Sequence, residues 1–164
     1  MPSRDGTDEF DAWLRSNSAQ AYTNREENPV SRMMFVNLPV TDLQRSVDFW
    51  TRLGFSFDPR FTDENASCMV ISDDAYVMLL AEPFFSMFTV KEVADAGRHT
   101  EAILAVSASS RDEVDRITDT AISTGGSASN EPQEEDFMYG RSFQDPDGHL
   151  WEVLYMDPAA AEQV

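Results

Sequence analysis

The sequence predicts an α+β protein built from two βαβββ modules, and three observations support this fold class. Apolar segments of strand length and amphipathic segments of helix length follow one another in the same order twice. A helix-capping motif precedes each of the two helical segments, and glycine follows each of them. The 164 residues, 41% of them hydrophobic, are enough for one or two packed domains without disulfide or metal support.

The composition excludes several classes of function. The chain carries 30 acidic and 12 basic side chains, and its net charge of −18 repels phosphate backbones and anionic membranes. We therefore expect neither a nucleic acid nor a membrane as a partner. The longest apolar run, residues 75–81, is too short to span a bilayer, and the polar N-terminus is unlike a secretory signal. The single cysteine, Cys68, excludes an internal disulfide framework and favours a cytoplasmic protein.

Residues 31–82 are predicted to form the first module. An apolar stretch at 33–40 has the length of a strand, and Thr41-Asp42-Leu43-Gln44 matches the capping box that begins a helix. Apolar residues at helical spacing follow as far as Leu53, and Gly54 is typical of a helix end. Three short segments of strand character complete the unit: 55–57, 66–72 and 75–81.

Residues 99–157 are predicted to form the second module. A strand at 100–107 precedes a second capping box, Ser110-Arg111-Asp112-Glu113, and the helix that follows ends at Gly125-Gly126. Three further strand segments then repeat the order of the first module: 127–129, 137–144 and 149–156. A duplicated unit of this kind predicts the architecture before any residue is assigned a chemical role.

Residues 83–98 join the two modules, and residues 158–164 form a C-terminal tail. In the connector, Pro83 followed by residues 89–96 predicts a helical link. The connector is also rich in phenylalanine, which either covers the mouth of a cavity or plugs the junction between the modules: Phe84, Phe85 and Phe88.

Residues 1–30 form an N-terminal extension with a polar composition. Phe10, Trp13 and Leu14 have the spacing of a short amphipathic helix, and the alternative is a frayed segment. If the helix forms, its aromatic stripe requires a surface to cover on this subunit or on a neighbour.

Two motifs at matching positions of the repeat resemble those of a known superfamily. Val40-Thr41-Asp42, running into Ser46-x-x-Phe49-Trp50-x-x-Leu53-Gly54-Phe55, resembles the first-module signature of the vicinal oxygen chelate superfamily. This superfamily includes glyoxalase I, bleomycin-resistance proteins, fosfomycin-resistance enzymes and extradiol dioxygenases. Asp145-Pro146-Asp147-Gly148-His149-x-x-Glu152 resembles its closing hairpin, and the resemblance covers residues 32–157.

This resemblance implies a fold and an assembly. The two modules would pair into a U-shaped, eight-stranded mixed sheet with a cavity on its concave side, and the two helices would cover the convex side. Members of the superfamily commonly dimerise, which implies a homodimer here.

The resemblance also implies where a divalent metal would be held. Enzymes of the superfamily use His, Gln or Glu side chains at up to four positions, which here correspond to Phe35, Leu79, Glu101 and Glu152. Phenylalanine and leucine cannot ligate, so only two carboxylates remain. Hard cations such as Mg²⁺ accept carboxylate oxygens, but two carboxylates make a weak site. We therefore expect no cofactor, with a divalent metal held by Glu101 and Glu152 as the alternative.

The two histidines are not predicted to be ligands. His99 lies two residues from Glu101 and would replace it only if the strand register differed by two. His149 lies an odd number of residues from Glu152 and is expected to point away from the cavity. We expect a surface or hydrogen-bonding role for both.

Glu152 is the candidate for chemistry in the closing strand. It alternates with Leu150 and Leu154 on one face of the predicted strand. A three-residue turn with Gly148 in the left-handed conformation would place Ser142 opposite Glu152, whereas a tighter turn would place Arg141 there. We favour the first register. In it Glu152 faces the cavity, either as a general base towards a bound ligand or as a hydrogen-bonding group.

The remaining lining is mostly apolar with a few polar groups, which is typical of a small-molecule pocket. The candidate ligand-binding residues are Phe35, Asn37, Leu79, Glu101, Ile103, Met138 and Ser142, together with Met33. The sequence thus predicts a glyoxalase/bleomycin-resistance-like protein that binds a small organic molecule in its concave cavity, with a degenerate metal site. The acidic surface would suit a cationic ligand. The alternatives are a metal-dependent lyase such as a glyoxalase, a dioxygenase, and an interaction role carried by the N-terminal helix.

Overall fold

A computed structural model describes residues 32–161, so the predicted N-terminal helix with Phe10, Trp13 and Leu14 lies outside the described residues. The first half contains β1 (Met34–Val40), α1 (Leu43–Leu53), β2 (Ser56–Asp58), β3 (Ala66–Ser72), β4 (Ala75–Ala81) and α2 (Glu82–Phe85). The second half contains β5 (Ile103–Ser107), α3 (Arg111–Ser123), β6 (Ser127–Ala128), β7 (Gln133–Glu135), β8 (Met138–Gln144), β9 (Leu150–Met156) and α4 (Pro158–Ala161). Two 3₁₀ turns add Pro59–Phe61 and Ser86–Phe88. None of the helices in this part of the chain has the length and apolarity that a membrane span requires.

The strands form two mixed sheets, which confirms the predicted α+β class. Sheet A has the order β1-β4-β3-β2, with β1 and β4 parallel and the other pairs antiparallel. Sheet B has the order β5-β9-β8-β6, with β5 and β9 parallel and β7 also paired to β8. The two sheets are separate hydrogen-bonded units, so β1 and β5 are edge strands within the described chain. Pro39 lies in one of them, where its missing N–H is tolerated.

Helix α1 begins one residue later than the predicted capping box. Asp42, not Thr41, is the N-cap, and its carboxylate accepts the Arg45 N–H at 3.0 Å. The Thr41 hydroxyl instead donates to Asp147 of the second module. The helix ends at Gly54 as predicted, with φ at +100°, a conformation that glycine adopts without a Cβ penalty.

Replacing Asp42 by alanine is expected to lower the free energy of unfolding by about 1 kcal/mol, because the first turn of α1 loses its acceptor. Urea denaturation followed by circular dichroism measures this loss. Gln44→Ala is the matched control, since the Gln44 amide contacts only the exposed Asp48. Equal losses in the two variants would instead favour the capping box read from the sequence.

Helix α3 begins where the second capping box predicts. The Ser110 hydroxyl accepts the Glu113 N–H at 3.1 Å. The Glu113 carboxylate turns back to the N–H and the hydroxyl of Ser109, at 2.7 and 2.6 Å, one residue earlier than in the standard box. The N-cap prediction is therefore confirmed, with a shifted return contact.

The connector differs from its prediction. The predicted helix at 89–96 is wrong, and the helical segment lies earlier, in α2 and the 3₁₀ turn that follows it. Pro83 lies in the first turn of α2, where its fixed φ suits a helix and its missing N–H leaves no bond unmade. Residues 89–96 form no helix, and Asp95 instead caps the turn that follows, accepting the Gly97 N–H at 3.0 Å.

The two modules share one hydrophobic core. Phe49, Trp50 and Leu53 of α1 pack in the same cluster as Val114 of α3 and Trp151 of β9. The Trp50 ring lies 4.4 Å from that of Trp151, measured between centroids, so the aromatic contacts cross from one module to the other. The helix-covered faces of both sheets therefore meet around α1 and α3. The opposite face of each sheet is not covered by α1 or α3, and this open face is the candidate site.

Candidate functional site

Sheet A places two of the predicted site residues on opposite faces. β1 and β4 pair in parallel with Leu38 opposite Leu79 and Phe35 opposite Tyr76. Leu79 is fully buried in the shared core with Leu38. Phe35 lies on the other face and stacks on Tyr76 with 5.1 Å between ring centroids. The predicted placement of Leu79 in the cavity is thus contradicted, because its strand pairs in the register that turns odd-numbered residues of β4 towards the helices.

The open face of sheet A is covered by the connector. Phe84 and Phe85 of α2 pack against the buried residues Cys68, Met78 and Leu80. These contacts are with first-module residues, so Phe84 and Phe85 cover the face of sheet A rather than plug the junction between the modules. Asn37 lies on the same strand as Phe35 and is exposed. Burial raises the pKa of Cys68 to about 12, so this thiol is protonated at neutral pH and is a poor nucleophile.

The open face of sheet B carries Glu152. Ser142 lies opposite it on β8 and Ala105 on β5, which is the register predicted from the turn. Leu150 and Leu154 flank it at i±2 on β9. The face also exposes two large apolar side chains, with Ile103 at 56% and Met156 at 53% of full exposure. The predicted residues Met138, Ser142 and Ile103 thus come together on this face.

The Glu152 carboxylate is not held by a neighbouring side chain. The Ser142 hydroxyl accepts the Asn130 N–H at 2.9 Å, and Arg141 pairs with Asp115 and Asp119 of α3. Across residues 32–161 no hydrogen bond or ion pair reaches the Glu152 carboxylate. The cleft beside it holds about 10 Å³, room for one water molecule, so a larger molecule would lie on the open face.

Glu101 lies apart from Glu152. It precedes β5, and its carboxylate oxygen lies 2.5 Å from Nδ1 of His149. The other ring nitrogen of His149 lies 2.7 Å from the carbonyl oxygen of Pro39 in the first module. His149 is fully buried, so it has the expected hydrogen-bonding role but is not a surface residue. His99 is exposed.

Asp145 organises the closing hairpin. Its buried carboxylate accepts the backbone N–H groups of Asp147 and His149, each at 3.0 Å, and the indole N–H of Trp151 at 3.1 Å. Burial raises the pKa of Asp145, against the pull of the His149 charge and these donors. Gly148 has φ at +93°, and a Cβ there would lie 2.8 Å from the carbonyl oxygen of Ala96. The hairpin is therefore both internally fixed and pressed against the connector.

Asp147 fastens this hairpin to the first module. One of its oxygens accepts the N–H and the hydroxyl of Thr41, at 2.9 and 2.8 Å, and the Arg45 guanidinium at 3.1 Å. The other accepts the Ser46 hydroxyl at 3.2 Å. Asp147 and His149 are the residues that sequence reasoning missed. Their motif signalled a turn, but nothing local identified partners about a hundred positions away.

The donor set does not fit a metal centre of the kind the fold implies. Phe35 and Leu79 offer no ligand atom and face apart, Glu101 is held by His149, and Glu152 lies on the open face of sheet B. Within the described range, no three His, Cys, Asp or Glu side chains are placed to share an ion.

Comparison with known proteins identifies the family. The model of the glyoxalase/bleomycin resistance protein/dioxygenase superfamily matches residues 32–153. The chain belongs to this superfamily. This match confirms the resemblance seen in the two motifs. It extends over both modules of this superfamily member. No curated protein matches the sequence.

Solved structures agree on the fold. A hypothetical protein from S. aureus, SA1046, is 25% identical, with a TM-score of 0.65 over 78% of this chain and 95% of its own. A superfamily enzyme from Burkholderia phytofirmans PsJN is 14% identical, with a TM-score of 0.65 over 77% of this chain and 99% of its own. A glyoxalase-related enzyme from Fulvimarina pelagi is 17% identical, with a TM-score of 0.65 over 77% and 88%. At these identities the last two show the fold alone.

Proposed function

We propose that this superfamily member binds a small organic molecule on the open face of sheet B, with Glu152 receiving a cationic or hydrogen-bond-donating group. The observation that supports this most is a carboxylate without a side-chain partner, within the described chain, among exposed apolar residues. Apolar contact area combined with a few oriented polar groups is the usual composition of a ligand site. Leu150, Leu154 and Ile103 supply the apolar contacts.

The charge of this face favours a neutral or cationic ligand over an anionic one. The charged side chains among the described strand residues of this face are both acidic: Glu152 of β9 and Glu135 of β7, which pairs with Met138. The other strand residues of the face are uncharged: Ile103, Ala105, Ser107, Ser127, Gln133, Met138, Gly140, Ser142, Gln144, Leu150, Leu154 and Met156. The net charge of −18 acts in the same direction. If the ligand carries an acidic proton, Glu152 is the group placed to accept it as a general base.

We further propose that the protein is a homodimer and that the partner subunit encloses this face. The support is the exposure of Ile103 and Met156 together with the open hydrogen-bonding edges of β1 and β5 in the described chain. Exposed apolar faces and open sheet edges are typical of surfaces that become buried by association. Enclosure would exclude water from the ligand and strengthen its contact with Glu152.

A matched pair of ions tests the binding proposal. Tetraphenylphosphonium and tetraphenylborate have nearly the same shape and opposite charge, and we expect the cation to bind more tightly. Glu152→Gln is expected to weaken binding of the cation about tenfold, equivalent to about 1.4 kcal/mol, because a charge-assisted contact is lost. Isothermal titration calorimetry at fixed ionic strength measures both affinities.

Glu92→Gln is the control for this experiment. It removes the same charge from an exposed position in the connector, outside both sheets, and should leave both affinities unchanged. Equal binding of cation and anion, or an unaltered affinity in the Glu152→Gln protein, would contradict the proposal. Purified protein that retains a stoichiometric divalent metal and loses it in Glu152→Ala would instead support the metal-dependent lyase or dioxygenase.

A further inference from the structure

His149 faces a hydrogen-bond acceptor at each ring nitrogen. Nδ1 lies 2.5 Å from a carboxylate oxygen of Glu101, and Nε2 lies 2.7 Å from the carbonyl oxygen of Pro39. A neutral imidazole carries one N–H and satisfies one acceptor, whereas an imidazolium carries two. In the neutral form, one ring nitrogen would turn its lone pair towards an oxygen lone pair inside the protein, where such an arrangement is costly. With Glu101 as a carboxylate, the two contacts together therefore select the charged form.

The surrounding charges also favour a cation. Glu101 comes from the segment before β5, while Asp145 and Asp147 come from the hairpin itself. His149 and Asp147 also line a cavity of about 340 Å³, together with two further acids: Glu82 of α2 and Asp95 of the connector. Arg45 of α1 is a basic side chain of this region, and it is paired with Asp147. The environment of the imidazole is thus predominantly acidic.

The pKa of His149 is shifted in the same direction. Burial lowers it, but the charge of Asp145, the Pro39 carbonyl and Glu101 together raise the pKa above its ordinary value. This result agrees with the geometry, in which the Glu101 carboxylate and the Pro39 carbonyl each accept from one ring nitrogen.

The position of His149 gives its charge a structural consequence. It connects the end of β1, through Pro39, with the residues that lead into β5, through Glu101. β9 begins at the next residue, Leu150, and carries Glu152. One buried side chain thus ties the first module to two neighbouring strands of the second.

We propose that His149 is an imidazolium at neutral pH and acts as a pH-sensitive lock between the two modules. Loss of its proton would break one of the two contacts and loosen the junction. The folded state binds the proton more tightly than the unfolded chain. The stabilisation is therefore complete below the pKa of His149 in the unfolded chain, near 6.5, and is lost as the pH rises through the pKa of His149 in the folded protein.

Nitrogen NMR of the imidazole tests the protonation state directly. The experiment uses His99→Gln protein, which leaves His149 as the one histidine in the chain, since the sequence contains two. At pH 7 both ring nitrogens of His149 are expected to show the shifts of an imidazolium. In the same background, Glu101→Gln is expected to lower the measured pKa of His149 by about one pH unit, because an opposite charge in contact is removed.

The pH dependence of unfolding tests the lock. The free energy of unfolding of the His99→Gln protein should fall as the pH rises through the pKa of His149 measured by NMR. In His149→Gln, which keeps an amide donor for Pro39, that fall should be absent. If His149→Gln does not fold, the same fall should begin at lower pH in Glu101→Gln.

Two results would overturn the proposal. One is a neutral tautomer of His149 at pH 7. The other is a His149 pKa that Glu101→Gln leaves unchanged, together with a stability that does not change across the titration.

Discussion

Replacing Trp50 by alanine is expected to lower the free energy of unfolding by about 3–5 kcal/mol. The Trp50 side chain is 1% exposed, and its ring contacts Trp151, Phe143 and Phe55 with centroid separations of 4.4, 5.9 and 5.2 Å. Phe55 belongs to the first module and the other two to the second, so the cavity would open where the modules meet. A loss of this size is a large fraction of the stability of a typical domain.

Guanidinium denaturation followed by far-ultraviolet circular dichroism measures this loss. Trp50→Phe keeps an aromatic ring and should cost less, while Val90→Ala, at a fully exposed position, should change stability by no more than about 0.5 kcal/mol. The shared core also predicts that the described modules unfold together in one transition. Two separated transitions, with Trp50→Ala shifting only one of them, would show that each module has a core of its own.

Replacing Asp145 by alanine is expected to lower the free energy of unfolding by about 3 kcal/mol or more, because three donors lose their acceptor at once. These donors are the N–H groups of Asp147 and His149 and the indole N–H of Trp151. The buried His149 also loses a neighbouring negative charge, and leaving a buried charge without its partner is strongly destabilising. Asp145→Asn keeps one oxygen acceptor but turns an amide N–H₂ towards donors, so it should cost nearly as much.

Denaturation curves at pH 7 compare these variants with Asp73→Ala. Asp73 lies exposed in the turn between β3 and β4, so its replacement removes an aspartate without removing a buried acceptor. If Asp145→Ala and Asp73→Ala were equally stable, the hairpin would not depend on the Asp145 contacts.

The sequence predicted those turns and strands that depend on residues close together in the chain. The Asp145–Gly148 turn requires a residue in the left-handed conformation, Gly148 supplies it, and this fixes the register that brings Ser142 opposite Glu152. The strands at 66–72 and 75–81 have the predicted bounds, because apolar runs bordered by turn residues are distinctive. β7, at residues 133–135, was not predicted, since its exposed polar side chains carry no apolar signal.

The candidate site was harder to predict because its features depend on distant partners. β4 is apolar on both faces, so no alternation indicated that Leu79 would face the helices while Met78 faced the other way. Glu101 precedes its strand, and nothing local showed that its carboxylate would contact His149. The position of Glu152 could be predicted from the sequence, because it depends on the turn of one hairpin.

The short stretch from Asp145 to His149 uses its side chains to hold the two halves of the molecule together. A sequence signature that includes it therefore detects a shared way of joining rather than a shared reaction. Relatives recognised by that signature would inherit the same assembly of halves while remaining free to diverge in what they bind. Their ligand specificity is better predicted from the strand residues on the face opposite the helices, which in this chain are the residues around Glu152.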